Sequence, residues 1–422
     1  VPVRFDPFNR SFVSSPYAHY AELRDHDPVH WSGLLHGWVL TRHDHVAEVL
    51  GDPTTSSDIR RATPNPLVEL ELAGLVDHDR ATRTIVHLDD PDHGRVRKLI
   101  ADPFRVRAVD RLRSLVEERI DATVDRLAVA GGGRETEIDL VAELTYPLPV
   151  EIFSTWLGMP EEAAPQFREW TSWVARSRDP LPPHEREQFF TALTAMTDYL
   201  EDQAEARRTQ PTDDLLSYLV AATDPRPTDD ATPPDATDGD GPRLSHDELL
   251  SQLITLYMAG HEPTAGLVGN GVLALLRHPD ELARLRADPS LVRNAVSELL
   301  RYDGPNQFIR RVTTRPIDLD GTAIPAGAVL YVGIASANRD ERRWGPDADR
   351  VVVDRPDAAQ HLQFGAGAHA CLGGHFARLQ AERMLDAVLG RFNGLDLAGT
   401  PEWSDRMFIR GLQALPVRAT VT

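Results

Sequence analysis

The chain has 422 residues, 65 Asp and Glu against 45 Lys and Arg, a formal charge of −20, and 41% hydrophobic residues. Such acidity argues against a nucleic-acid binder, whose footprint is basic, and against adhesion to anionic membrane surfaces. A single cysteine excludes an internal disulfide framework and any multi-cysteine zinc or iron–sulfur site. At the N-terminus, Val1-Pro2-Val3-Arg4-Phe5-Asp6-Pro7 lacks the apolar stretch of a signal peptide. No run of about 18 uncharged apolar residues follows, so the expectation is a cytoplasmic protein without membrane spans. Helical spacing of apolar residues covers Val106 to Leu127 and is closed by Gly131-Gly132-Gly133. Two further amphipathic helices, Glu161 to Arg178 and Glu185 to Arg208, are joined by Asp179-Pro180-Leu181-Pro182-Pro183. A shorter one covers Asp213 to Ala222. The stretch from Ala221 to Arg243 is rich in Pro, Asp, Thr and Gly, cannot bury enough surface to order itself, and reads as a flexible acidic surface loop. At Ser245-His246-Asp247-Glu248 a capping box opens a helix that is apolar on most faces and runs to Arg277, where His278-Pro279 stops it. A helix of that kind runs through the middle of a protein. Asp280 to Asp288 and Leu291 to Tyr302 are helical, Ile317 to Val332 reads as a hairpin around Gly321 and Pro325-Ala326-Gly327, and Gly374 to Leu389 is helical again. The expected fold is mainly α with small β-sheets.

The lone cysteine lies in Phe364-Gly365-Ala366-Gly367-Ala368-His369-Ala370-Cys371-Leu372-Gly373. Two glycines shortly before a cysteine describe a loop that folds back tightly and aims backbone N–H groups at the sulfur. The helix that follows puts its positive end near Cys371, which favours a thiolate. A lone cysteine is more often a buried structural residue; here the whole pattern resembles the haem-binding loop of the cytochrome P450 family at every position that defines it. The resemblance extends from about Asp6 to Val417 and implies one domain over 1–422 with haem b, iron protoporphyrin IX, as cofactor. Phe364, Gly365, His369, Cys371 and Gly373 would hold it, with Cys371 as the axial iron ligand.

Other segments fit the same family in the same order. Glu298-Leu299-Leu300-Arg301 is worthless alone but looks like the family's structural ion pair, with Arg350 expected as the third member, in a meander with Trp344 where Phe is usual. Ala259-Gly260-x-Glu262 is similar to the oxygen-binding groove of the central helix. His261-Glu262 is not a zinc-protease motif, because Ala265 stands where the second His would be. The family usually has Thr after the acid; here Pro263 replaces it and Thr264 follows one position late. Pro263 is expected to kink the helix, since it lacks an amide hydrogen and clashes with the carbonyl of Ala259. His93 and Arg97 share a helix face and, with Arg311 and His369, are the residues the resemblance places on the haem propionates. Candidate substrate residues are Asn306, Gln307 and Phe308, and the late turn Met407, Phe408 and Ile409. The resemblance implies an oxidase or monooxygenase that draws on O2 and on NAD(P)H through a ferredoxin reductase and ferredoxin. It would hydroxylate or radically couple a small apolar or aromatic natural product of bacterial secondary metabolism. The alternative is a haem protein that binds gas or ligand without turnover.

Overall fold

The computed structural model describes residues 3, 5–63, 65–66, 68–69, 84–130, 135–174, 176, 182–223 and 242–421. Its axis is the helix His246–Leu276, whose 31 residues span about 46 Å. The capping box is closed in both directions: Glu248 N donates to Ser245 Oγ at 3.1 Å, and Ser245 N donates to Glu248 Oε2 at 2.8 Å. From Leu249 to Leu275 apolar side chains are buried on most faces, because helices pack on several sides: Pro147–Leu157, Val292–Asp303 and Gly374–Arg391. The helix does not break at Pro263, which sits inside it.

Several expected boundaries move. The helix from Val106 is two helices, Val106–Asp110 and Arg113–Ala130, and the triple glycine lies outside the described residues. A 3-10 turn at Glu161–Ala163 precedes Ala164–Val174, and Pro183–Thr209 follows a connection that is largely outside the described residues. Beyond Leu215–Ala221, Thr223 and Leu244 form a parallel bridge, and Leu244 N donates to Ala222 O at 2.9 Å. The proline-rich acidic stretch between them, 224–241, is outside the described residues.

A five-stranded sheet lies beside the helices, in the order Val29–Ser32, Gly37–Leu40, Val329–Val332, Ile309–Thr313, Thr55–Ser56. Gly37–Leu40 runs parallel to Val329–Val332 and the other neighbours are antiparallel. Only half of the expected hairpin forms. Ile317–Leu319 and Thr322–Ile324 pair about Asp320-Gly321, both at positive φ (51° and 78°), as a tight hairpin turn requires. Val329–Val332 leaves for the large sheet, since all four of its residues are buried and need cover on both faces.

Candidate active site

The cysteine loop is held by its own backbone. Gly365 N donates to Leu362 O at 2.8 Å, Ala370 N to Gly367 O at 3.1 Å, and Cys371 N to Phe364 O at 2.7 Å. Gly367 is required twice over: its φ is +68°, and a Cβ there would sit 2.8 Å from Leu50 O. Phe364 lies against Gly374 and beneath the Arg378 guanidinium, 4.7 Å from its ring centre. The Cys371 sulfur accepts a bond from Gly373 N–H, and Arg97 and Arg378 also favour its anion, yet burial outweighs all three and pushes the thiol up. Cys371 is nonetheless exposed by surface area. A sulfur that is exposed in area but crowded by protein faces an internal space. Ala259, on the central helix between half-buried Met258 and Gly260, is likewise exposed.

His93 and Arg97 lie on the helix Asp92–Ile100, Arg311 on the strand Ile309–Thr313, and His369 in the cysteine loop. The structure brings them together. The His93 and His369 rings are 4.0 Å apart, and Arg97 Nη2 donates to Ala370 O at 2.8 Å, tying that helix to the loop. Burial, then the charges of His93, Arg311 and Arg97, pushes His369 down to about 3. Burial lowers Arg311 to about 10 and, with Arg97, lowers His93. His93 Nε2 is buried with no hydrogen-bond partner among the described residues. Donors that repel one another and leave a buried nitrogen unpaired fit a ligand carrying carboxylates. With a thiol facing an internal space, the donor set fits haem. Asp89 supports it from behind, accepting from Ser57 N at 2.8 Å and attracting Arg311; sequence reading missed it.

The structural ion pair needs one correction. Glu298 and Arg301, both fully buried, make two parallel bonds of 2.7 Å. The third member is Arg355, whose Nε lies 3.1 Å from both Glu298 oxygens. Arg350 is exposed and contributes only its carbonyl, which accepts from Arg301 Nη2 at 2.8 Å. The chain turns between the two arginines, and the turn presents a carbonyl first and a guanidinium five residues later.

On the central helix, Glu262 forms an ion pair with Arg406, a residue no sequence signal marked. Thr264 is buried and its hydroxyl donates back to Gly260 O at 3.2 Å. Glu262 and Thr264 therefore serve different partners. Gly260 is backed by Phe153, whose ring a Cβ would approach to 3.0 Å, so close packing is one reason for a small residue there.

Four of the six candidate substrate residues are packed instead in a satellite core. Gln307 accepts from Tyr20 Oη at 2.9 Å, Phe308 packs edge-on to Phe5 and Tyr20, and Met407 and Phe408 are buried in the same cluster. Asn306 is engaged with Gln363 through N and Nδ2, at 3.0 and 3.1 Å. Ile409 lines a cavity of about 300 Å³ shared with Glu262 and Arg406. Apolar residues near a pocket and apolar residues in a core look alike in sequence.

The family model described as Cytochrome P450 matches residues 31–405. The chain is a cytochrome P450. It is 40% identical over 97% of its length, and 92% of the relative's, to "Cytochrome P450 monooxygenase PikC" of Streptomyces venezuelae. It is 35% identical to "6-deoxyerythronolide B hydroxylase" of Saccharopolyspora erythraea over 97% of each chain. Among solved structures, that of CalO2 superposes with a TM-score of 0.86 at 29% identity, covering 100% of both chains. This P450 is thus an oxidoreductase of the monooxygenase family, not a gas-binding protein without turnover, and none of its described helices is long and apolar enough to cross a membrane.

Proposed function

We propose that this P450 binds haem b through Cys371 and monooxygenates a small natural product of bacterial secondary metabolism, with electrons from NAD(P)H passed by a ferredoxin reductase and ferredoxin. The balance is R–H + O2 + NAD(P)H + H+ giving R–OH + H2O + NAD(P)+. The observation that carries the reading is the cysteine loop joined through Arg97 to a converging set of carboxylate donors. Haem held there by Cys371 would supply iron chemistry in which the thiolate's electron density favours O–O cleavage. The chain's own contribution is to hold the propionates with His93, Arg97, Arg311 and His369, to exclude water, and to deliver protons. Hydroxylation is favoured over aryl coupling because a relative 35% identical over nearly the whole chain is named a hydroxylase. A substrate panel spanning macrolactones and aromatic natural products, titrated against the haem Soret band and followed by product analysis, tests the class and outcome.

Proton delivery sets a further expectation. Pro263 brings no hydroxyl, and Thr264 spends its own on Gly260 O, so the chain offers no side-chain hydroxyl where the family usually has one. A polar group on the substrate that orders a water fills the role. Surrogates without hydrogen-bonding groups should then be oxidised poorly, most NADH being lost as peroxide, and Pro263→Thr should raise product per NADH on surrogates more than on the native substrate. Tight coupling by the unaltered protein on such a surrogate would reject this.

Electron entry is expected behind the cysteine loop. Arg95 is taken up by Glu248, Asp92 and the carbonyl of Arg243, and Arg378 is half-buried on Phe364. That leaves Lys98, with Arg107 and Arg111, exposed; Val106–Asp110 packs on the cysteine helix Gly374–Arg391. Reduction by an acidic ferredoxin should slow as salt rises, and Lys98→Glu should slow it several-fold at low salt and little at high salt. Stopped-flow reduction rates that ignore both changes would exclude this face.

A further inference from the structure

The reaction gives no task to the aromatic side chains packed behind the central helix. Aromatic residues are only 7% of the chain, yet here they form an unbroken line from the cysteine helix to the surface. Trp156, on Pro147–Leu157, has its ring centre 4.8 Å from that of Phe376, on the helix Gly374–Arg391 that follows Cys371. Phe104 and Phe153 close its other sides, at 4.9 and 5.8 Å. Phe153, the ring that backs Gly260, stands 5.3 Å from Tyr257 on the central helix. Tyr257 stacks on Phe167 at 4.5 Å, their planes 15° apart, and Phe167 meets Tyr199 at 5.4 Å. Tyr199, on Pro183–Thr209, is half-buried and ends the line at the surface.

Edge-to-face and stacked contacts explain how these rings pack, but not their order. Among aromatic side chains, Trp and Tyr give up one electron readily and Phe does not. Here Trp156, Tyr257 and Tyr199 alternate with Phe153 and Phe167, so a single ring separates each oxidisable side chain from the next. Electron transfer falls off exponentially with distance, and several short steps outrun one long one. Tyr257 also has what a phenol needs when it loses an electron, a partner for its proton. Its hydroxyl is hydrogen-bonded to that of Ser154, and both residues are buried. Burial pushes the Tyr257 phenol up, so at rest the proton stays on that bond.

We propose that Trp156, Tyr257 and Tyr199 carry electrons inward to the Cys371 site when oxidising power gathers there without a substrate to receive it, giving this P450 a protective peroxidase activity. The inference rests on the monooxygenase reading above, since peroxide is what remains when dioxygen is reduced and no substrate is oxidised. Trp156 gives up the first electron and is refilled from Tyr257. The Tyr257 phenol proton shifts onto Ser154 Oγ and returns with the electron that Tyr199 supplies. Tyr199 is left one electron short, and its own proton passes to water. A diffusible enediol or thiol at the surface then restores Tyr199, which takes a proton back. For an enediol AH2 the sum over two such passages is H2O2 + AH2 giving 2 H2O + A. The O–O bond breaks, the enediol is oxidised, and its two hydrogens complete the waters.

The test uses the full haem-loaded chain without substrate, hydrogen peroxide as oxidant and ascorbate as the enediol. Rapidly frozen samples of the unaltered protein should show a tyrosyl radical by electron paramagnetic resonance. That signal should narrow when the tyrosines are ring-deuterated and be absent from Tyr199→Phe. Trp156→Phe and Tyr257→Phe keep an aromatic ring in place but remove the readily lost electron, and each should cut the signal about fivefold. Ascorbate oxidation should slow about fivefold in all three variants, and the peroxide needed to bleach half of the Soret absorbance should fall about threefold. Tyr218→Phe is the control: its phenol donates to Leu99 O, away from the line, and its loss should change nothing. Substrate hydroxylation with NADH and ferredoxin should stay within about twofold of the unaltered protein throughout. The line is cut at three separate points, so misfolding of one variant leaves two that decide. Unchanged signal, ascorbate oxidation and bleaching in folded Trp156→Phe and Tyr257→Phe, or equal losses in Tyr218→Phe, would overturn the proposal. The carbonyl spectrum separates the two readings. A thiolate-type band in the unaltered protein with no tyrosyl radical rejects the electron path alone, whereas absence of that band rejects the P450 chemistry beneath it as well.

Discussion

Cys371→Ser should remove the red-shifted absorbance of the reduced carbonyl complex and bring turnover below detection. The chain holds one Cys, and its five Met residues cannot form a thiolate, so no other side chain can take over. Serine keeps the size of the side chain and the bond from Gly373, and the loop's shape is set by Phe364, Gly365 and Gly367, so the fold should survive. The measurement is the difference spectrum of the reduced protein with carbon monoxide, alongside circular dichroism to show that helix content is retained. An unchanged spectrum would end the assignment of Cys371 as the axial ligand.

The second large effect is on stability. Glu298 accepts from Arg301, from Arg355 and from Val352 N at 3.0 Å, all out of water. Removing it leaves the buried Arg301 guanidinium without its anion, and Arg355 with only Asp347, 3.1 Å away. Breaking a buried pair in this way costs about 3–5 kcal/mol, set against a total of about 5–15 kcal/mol for a typical protein. Glu298→Ala should therefore yield little folded protein, and Arg355→Ala should be severely destabilised. Arg350→Ala is the control: the exposed side chain goes, the carbonyl that Arg301 uses stays, and stability should move by no more than about 0.5 kcal/mol. Thermal denaturation followed at the Soret band ranks the three. Equal damage at 350 and 355 would contradict the network as described.

What could be read from the sequence was whatever its local chemistry completes. The cysteine loop is contiguous, so its glycines and its sulfur stand together in the chain. The Ser245–Glu248 box and the Glu298–Arg301 pair close within one helical turn, and both were legible for that reason. The third partner of Glu298 was not, because Arg350 and Arg355 are the same residue type and only the path of the chain decides which one turns inward. Arg406 gave no signal, as its partner is on a helix far away in sequence. Phe308, Met407 and Phe408 lie in a satellite core, and an apolar side chain shows its period but not whether protein or ligand covers it; the polar Gln307 is taken up by Tyr20. Short strands such as Val29–Ser32, Gly37–Leu40 and Pro416–Val421 offer too few alternations to stand out before their partners are known.

The bridge between Thr223 and Leu244 decouples the start of the central helix from the length of chain before it. It brings together both ends of the acidic, proline-rich stretch just before the central helix begins, so the start of that helix is fixed independently of what lies between. Closing a loop costs entropy only as the logarithm of its length, about 0.6 kcal/mol for each doubling. Lengthening the chain between the two bridge residues therefore adds little to the cost of closing it. An epitope or affinity tag placed between Thr223 and Leu244 should therefore leave the Ser245–Glu248 capping box and the haem site undisturbed.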